Sequence, residues 1–473
     1  MNLFFLYKRR IILIGFFIVG AILRLWDITE HSYWIDELYS AARAIPEKDL
    51  LDVYYWGPEP HPPAHYILLW ISYNLFGYYE IVGKLISAIA GILCIPAIYF
   101  LGKTMFSKGV GFNAAILLTI TPALIYYAQE ARAYELLVLF SILSSYFFLL
   151  IQVKKTYFYT FLYLISSIIL INLHFYGVWI FAAQVIFISI SLCKSLNKKD
   201  MIFYLFTSCI IFASYIPLIS QMIQAALNAT TWIQGIEITT YLFEAFSAYF
   251  GSANMFRPYQ VIEISFVGLL FFALFAISFT KLSVNKKLSK GFCYISLVFF
   301  FVYIVSILLE VLLAPMFNNR NSLPALPFII LVIAWGINQI EVKRIYALSS
   351  IGAFLILSNI NFYNNLEREN WRGVIKQAST IESPYKNKNH IYVSAWEGEW
   401  NVYKRWLDID DIEIMGLKDL QIENYEQDDL VWVLWATIQP QDLEHNKTIL
   451  DNLTEVESIE ANRAGLIQYK ISK

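Results

Sequence analysis

Hydrophobic positions along the chain gather into long runs, several of them reaching the ~17–25 residues that a helix needs to cross a bilayer. Spans are predicted at 11–26, 81–101, 110–128, 135–153, 157–174, 176–193, 201–219, 260–280, 292–313, 324–340 and 345–360, about eleven by the spanning-length rule. Polar positions support the same map. Basic clusters recur at every second boundary: Lys8-Arg9-Arg10, Lys103 with Lys108, Lys154-Lys155, Lys194 with Lys198-Lys199, the run from Lys281 to Lys290, and Lys343-Arg344. Cytoplasmic loops carry the excess of lysine and arginine. This places the N-terminus inside and the C-terminus outside a cell membrane crossed many times. The first run lacks a small-residue cleavage site and reads as an uncleaved first span.

"AHYILLWISYNLFG" (64–77) is apolar but short, and counting it as a span would move every later basic cluster to the outside. It is therefore expected to lie at the outer surface, within one external loop over 27–80. A second external loop, 220–259, contains "TTYLFEAFSAYFGSA", an amphipathic segment that fits either a lid or a passive surface helix. After about 361 acids and bases interleave with short β-like runs, "HIYVSAW" (390–396), "LVWVLW" (430–435) and "GLIQYKIS" (465–472). The expected organisation is a membrane domain over 1–360 and a small mixed α/β extracytoplasmic domain over 361–473.

Composition agrees with this picture. Of 473 residues, 58% are hydrophobic and 15% charged, which excludes an ordinary soluble globule, while the net charge of −2 says little about partners and nothing points to nucleic acid. The four cysteines all lie in the hydrophobic part, so no disulfide framework is suggested. No P-loop, G-x-G-x-x-G, H-E-x-x-H or G-x-S-x-G is present. An enzyme of this kind would take a donor already embedded in the membrane.

The informative residues are polar ones at the external ends of spans. Asp36 and Glu37 stand in "HSYWIDELYSA" among Trp34, Ile35, Leu38 and Tyr39, where an ionised carboxylate needs a partner or a task. In "PEPHPPAHY" (58–66) prolines fix an extended path around His61, and His65 begins the surface helix. His61 suits a phosphate or a proton; His65 equally suits an interfacial polar position. "YYAQEARAYEL" (126–136) brings Glu130, Arg132 and Tyr134 to a very short external turn, as a neutralising pair with an aromatic belt or as contacts to a phosphate headgroup. His174 in "NLHFYG" fits a structural histidine. Arg320 in "APMFNNRNSLPALP" (314–327) offers a planar fork to phosphate oxygens or snorkels to lipid headgroups. All five sets fall on one predicted face, which suggests chemistry on a phosphate-bearing lipid.

"WIDELYSA", "HPPAHYILL", "YYAQEARAYEL", "LHFYG" and "FNNRNSLPALP", in that order, resemble the bacterial dolichyl-phosphate-mannose-protein mannosyltransferase-like and aminoarabinose transferase-like families of the GT-C superfamily. The likeness covers about 1–340, and "RENWRG" (368–373) resembles the family's lead into its external C-terminal domain. It implies a GT-C fold and transfer of a sugar from a polyprenyl-phosphate carrier to a glycolipid, glycan or protein acceptor outside the membrane. The resemblance puts the catalytic carboxylate on Asp36, with Glu37 beside it, and the phosphate-contacting bases on His61, Arg132 and Arg320, with Glu130 as the second external acid. His65, Tyr134 and His174 complete the expected substrate-facing set. The aminoarabinose branch has lysine where this chain has His61, and relatives have an Arg-Tyr pair that "FNNRNS" lacks. A divalent metal bridging acids and phosphate is compatible with these acids, though no ligand spacing demands one. The competing classes are a polyprenyl-linked glycan polymerase or ligase, expected to use external arginines without an Asp-Glu pair, and a lipid flippase, which needs polar groups at mid-membrane depth.

Overall fold

The computed structural model describes residues 3–55, 61–195, 197–228, 248–250, 286–312, 319–340, 343–364, 368–380, 390–394, 397–409, 412–425, 429–436, 453–461 and 463–471. Over these the chain is mostly helical: α1 (Leu3–Leu25), α2 (Ile35–Arg43), α3 (Leu50–Tyr54), α4 (Ala64–Phe76), α5 (Glu80–Met105), α6 (Lys108–Thr119), α7 (Pro122–Tyr126), α8 (Tyr134–Lys154), α9 (Tyr157–Leu173), α10 (Tyr176–Ser195), α11 (Lys198–Ala213), α12 (Ile219–Asn228), α13 (Lys286–Phe299), α14 (Ser306–Leu312), α15 (Leu326–Gln339) and α16 (Arg344–Asn364). Every expected span within the described residues is helical. The one at 260–280 lies outside them, as does most of the 220–259 loop with its amphipathic segment. Among the described residues four stretches are long and apolar enough to cross a membrane unaided: Glu80–Met105, Tyr134–Lys154, Lys198–Gln221 and Lys290–Leu312. Shorter apolar helices pack with them into a polytopic bundle. Segment 64–77 forms α4, a 13-residue helix well short of spanning length.

The span expected at 110–128 is not one rod. α6 and α7 meet at a bend of 62°. Pro122 has no amide hydrogen to donate, and the hydroxyls of Thr119 and Thr121 bond back to the carbonyls of Ala115 and Leu117 (2.7 and 2.8 Å). A break in an apolar bundle strips carbonyls of their helical partners, and no water is at hand to replace them. Arg24, fully buried in α1, donates to Thr119 O (3.1 Å) and Leu118 O (3.3 Å), and Asn359 in α16 donates to Ile120 O (2.9 Å). The Arg24 charge is faced by Glu135, also buried, across Gly91, where a Cβ would lie within 3 Å of both side chains. The bend aims residues 127–133 across the end of the bundle.

Elsewhere the bundle is joined by close backbone approach and by polar links. A Cβ on Gly102 would stand 2.9 Å from Gly111 Cα, so these two glycines let α5 and α6 meet backbone to backbone. Ser144 of α8, Ser167 of α9 and Gln184 of α10 are hydrogen bonded to one another (2.8–2.9 Å), and Ser145 bonds Tyr294 of α13 (2.7 Å).

Beyond α16 the chain forms α17 (Trp371–Thr380), β1 (His390–Ser394), α18 (Glu397–Trp406), β2 (Ile414–Gly416), β3 (Leu430–Ala436), β4 (Leu453–Ala461) and β5 (Ala464–Ile471). The sheet order is β2-β1-β3-β5-β4, parallel at β2-β1-β3 and antiparallel beyond. The three expected β-like runs are β1, β3 and β5. One face of the sheet (Val431, Val433, Ile391) packs on Leu417 and Leu420. The other (Trp432, Leu434, Leu466) packs on Trp371 and Trp400, and the same core continues into Tyr33, Leu38 and Ala41 of the segment between α1 and α3. The C-terminal helices thus lie between the sheet and α2.

Replacing Arg24 by Met should leave the carbonyls of the α6–α7 break and the Glu135 carboxylate unmatched, a loss of about 3–5 kcal/mol. The thermal unfolding midpoint in detergent should fall clearly, and Glu135→Gln added to it should restore part of the loss. An unchanged midpoint in Arg24→Met contradicts this reading of the bend.

Candidate functional site

Asp36 and Glu37 are the second and third residues of α2, and the helix separates them. Neighbours on a helix point about 100° apart, so one carboxylate stays partly open and the other faces the interior. Glu37 is fully buried. Its Oε2 accepts from the Trp34 amide (3.1 Å), closing a capping box, and its Oε1 accepts from the Ala131 amide (2.6 Å). It therefore pins the 127–133 turn to α2. Asp36 keeps about a third of its side-chain surface open. Its Oδ2 lies 3.1 Å from Arg320 Nη1 and 3.8 Å from Arg132 Nη2.

Both arginines are themselves held. Arg132 donates to Asp36 O (2.9 Å) and to Ser40 Oγ (2.7 Å), one turn further along α2. The Arg320 guanidinium lies over the ring of Trp34 (4.9 Å) and beside that of Tyr134 (5.8 Å). Arg320 belongs to the turn before α15, fixed where Ser322 Oγ donates to Asn319 O (2.9 Å) and pairs with the Tyr249 hydroxyl.

Beside this cluster is a small cleft lined by His61, Pro62, His65, Tyr66, Arg132, Tyr134 and His174 among others. Pro62 and Pro63 stop the chain just before α4, leaving His61 at the cleft wall and His65 one residue into the helix. The His61 ring lies 5.0 Å from that of His174. His174 sits between α9 and α10, and its Nδ1 accepts from the Tyr176 amide (3.2 Å), which places its proton on Nε2. That Nε2 is buried without a protein partner, so the ring offers a donor. His65 Nε2 donates to Ala131 O (3.1 Å), and this histidine braces the same turn that Glu37 braces from the other side. Burial, with Arg132 next, lowers the pKa of both His65 and His174 to about 3, and burial, then His174, holds His61 well below the ordinary range. All three rings are neutral at physiological pH.

Glu130, in the turn between α7 and α8, is buried. Burial raises its pKa, opposed chiefly by Arg368, whose guanidinium lies over the Tyr126 ring (4.7 Å). The structure thus brings together all nine sequence-derived candidates: His61, His65, Arg132, Tyr134 and His174 line the cleft, Asp36 and Arg320 are joined to it through Arg132, and Glu37 and Glu130 are buried. Two further residues join them from the segment after α16. One is Arg368, and the other is Glu369, whose Oε2 accepts from the Ile35 amide (3.1 Å). Among the described residues no three His, Cys, Asp or Glu side chains form a metal-holding group.

Glu37 also gives the site a pH signature. Burial, the largest cause, raises its pKa from 4.5 to about 7. Between those values the native chain holds a proton that the unfolded chain releases, so this stabilisation is full below about pH 4.5 and is lost as pH rises through about 7. The unfolding midpoint of the wild type should decline from pH 5.5 to 7.5 more steeply than that of Glu37→Gln. Equal slopes in a fluorescence melt series contradict this.

Comparison with known proteins agrees with the geometry. The sequence pattern of the family described as dolichyl-phosphate-mannose-protein mannosyltransferase matches residues 60–221. No curated protein sequence matches the chain. The fold is similar to that of ArnT from Cupriavidus metallidurans in the apo state (TM-score 0.60, 9% identity, 98% of this chain and 97% of that one). It is similar also to ArnT bound to undecaprenyl phosphate (TM-score 0.57, 11% identity, 99% and 98%). The apo oligosaccharyltransferase of Archaeoglobus fulgidus is a third likeness (TM-score 0.56, 11% identity, 100% and 75%). The chain therefore has the GT-C fold of these solved proteins, and its residues 60–221 match the sequence pattern of the dolichyl-phosphate-mannose-protein mannosyltransferase family.

Proposed function

We propose that this protein is an inverting glycosyltransferase that moves a sugar from a polyprenyl-phosphate carrier to an acceptor hydroxyl or phosphate on the extracytoplasmic side of the membrane. The observation that carries this reading is one half-open carboxylate, Asp36, shared by Arg320 and Arg132 at the edge of a histidine-lined cleft. Two solved proteins of similar fold support it: the Cupriavidus ArnT holds undecaprenyl phosphate, and the Archaeoglobus oligosaccharyltransferase AglB holds dolichol-phosphate. In this reading the N-terminus is cytoplasmic, residues 1–360 form the membrane catalytic part, and residues 361–473 form the external domain.

The donor phosphate enters between Arg132 and Arg320, with His174 Nε2–H and His61 at the cleft wall. It takes over the guanidiniums and frees the Asp36 carboxylate. The acceptor oxygen attacks the anomeric carbon opposite the phosphate, and Asp36 takes the hydroxyl proton as general base. The carbon–oxygen bond to phosphate breaks with inversion, and polyprenyl phosphate leaves with one more negative charge. The fixed arginines stabilise that charge as it develops, with no reorganisation at the moment of reaction. Because the cleft histidines are neutral, they donate hydrogen bonds without adding charge.

Asp36→Asn should lower transfer by about 10²–10⁴-fold, the usual share of a general base, with lipid-phosphate binding retained. The assay is release of free polyprenyl phosphate from a polyprenyl-phosphate sugar by purified protein. Arg320→Ala should instead weaken both donor binding and turnover. Wild-type turnover in Asp36→Asn contradicts the assignment.

A further inference from the structure

The catalytic helix is anchored by a part of the chain more than 300 residues away. Beyond α16 the chain re-approaches the first external loop, and hydrogen bonds from Glu369, Arg372 and Tyr403 tie the two together. The Glu369 carboxylate accepts from the Ile35 amide, the first residue of α2, at 3.1 Å, and from Trp371 Nε1 at 2.6 Å through the same oxygen. The Glu369 carbonyl accepts from Ser32 Oγ (2.5 Å). Arg372 donates to Thr29 O and to Glu80 Oε1 (both 3.0 Å). Tyr403 of α18 accepts from the Tyr33 amide through its hydroxyl (2.5 Å).

The first amides of a helix have no partner within it. In α2 the local capping box satisfies Trp34 through Glu37, and no residue nearby in sequence serves Ile35. Glu369 fills that place, and its own orientation is fixed by the buried Trp371 indole. Asp36 is the next residue. Its reach to Arg320 therefore depends on the turn that Glu369 closes. We propose that Glu369 is a positioning residue for the transfer reaction: it fixes the first turn of α2 so that the Asp36 carboxylate stays in register with Arg132 and Arg320. This inference rests on the reading of Asp36 as the base, but the geometry it claims can be measured without activity.

The test uses the full-length protein in detergent or nanodiscs, with hydrogen–deuterium exchange over residues 31–40 read alongside steady-state transfer. Glu369→Ala should raise exchange of the first turn of α2 and lower kcat about 10–100-fold, the scale of an ångström-level misplacement, with the KM for the polyprenyl-phosphate sugar changed less than about threefold. Glu369→Gln, whose amide oxygen still accepts from Ile35, should recover most of kcat and of the protection. If the alanine variant does not fold, Glu369→Asp, one methylene short of the Ile35 amide, should move both readouts in the same direction. Arg405→Ala serves as the control, since it removes an exposed Arg405–Glu47 pair from the same interface without touching the first turn of α2, and it should keep wild-type exchange and kcat. Wild-type exchange and kcat in Glu369→Ala and Glu369→Asp, or an equal fall in Arg405→Ala, overturns the proposal. Should Asp36→Asn turn over normally, the assignment of the base fails, and the exchange measurement still decides whether Glu369 holds the turn.

Discussion

Two guanidiniums from distant turns converge on the single carboxylate of Asp36, and the rest of the structure is arranged so that they can. Arg132 and Arg320 stand 96 and 284 residues from Asp36 in sequence. Arg132 is carried by the turn between α7 and α8, and Arg320 by the turn just before α15. A charge cluster at the end of an apolar bundle persists only when each member is paired and hydrogen bonded. The pairing extends well beyond the cleft. Glu37 and His65 grip the backbone of Ala131 from opposite sides, Ser40 holds Arg132, and Trp34 supports Arg320. Below them Arg24 and Asn359 serve the carbonyls of the bend that sends the 127–133 turn across the bundle.

The electrostatics follow from that packing. Arg132 and Arg320 face Asp36, Arg368 opposes the buried Glu130, and burial holds the carboxyls of Glu37 and Glu130 above their ordinary pKa. The histidines add donors and, being neutral, no charge. Under the proposed function, a phosphate arriving at the cleft would compete with Asp36 for the same two cations, so that donor binding and release of the base would be one event, and a carboxylate meant to accept a proton would rest in an ion pair until then.

Much of this was legible in the sequence because the membrane restricts what a sequence can say. Long apolar runs must be helices, basic clusters mark one side, and an acid or arginine at the end of a span is costly unless used. Asp36, Arg132 and Arg320 stood out for that reason. Their division of labour did not. The adjacent acids read as one pair in a loop, and only their place on a helix separates the half-open Asp36 from the buried Glu37. The role of Glu369 had no local signal, since a helix cap supplied from residue 369 to residue 35 leaves no spacing to read. In the C-terminal region β1, β3 and β5 showed as apolar runs. β2 is only three residues long, and β4 carries glutamates at 455, 457 and 460 that disguise an edge strand. The bend at Pro122 was hidden inside a hydropathy window that passes as one span.

The most direct test of the central claim is the affinity of free polyprenyl phosphate for the wild type and for Asp36→Asn, measured at low and moderate salt. If Asp36 and the lipid phosphate share Arg132 and Arg320, removing the carboxylate charge should make the lipid phosphate bind several-fold more tightly, with the gain shrinking as salt rises. Weaker binding in Asp36→Asn would contradict the account, because the carboxylate would then be part of the phosphate site rather than its competitor.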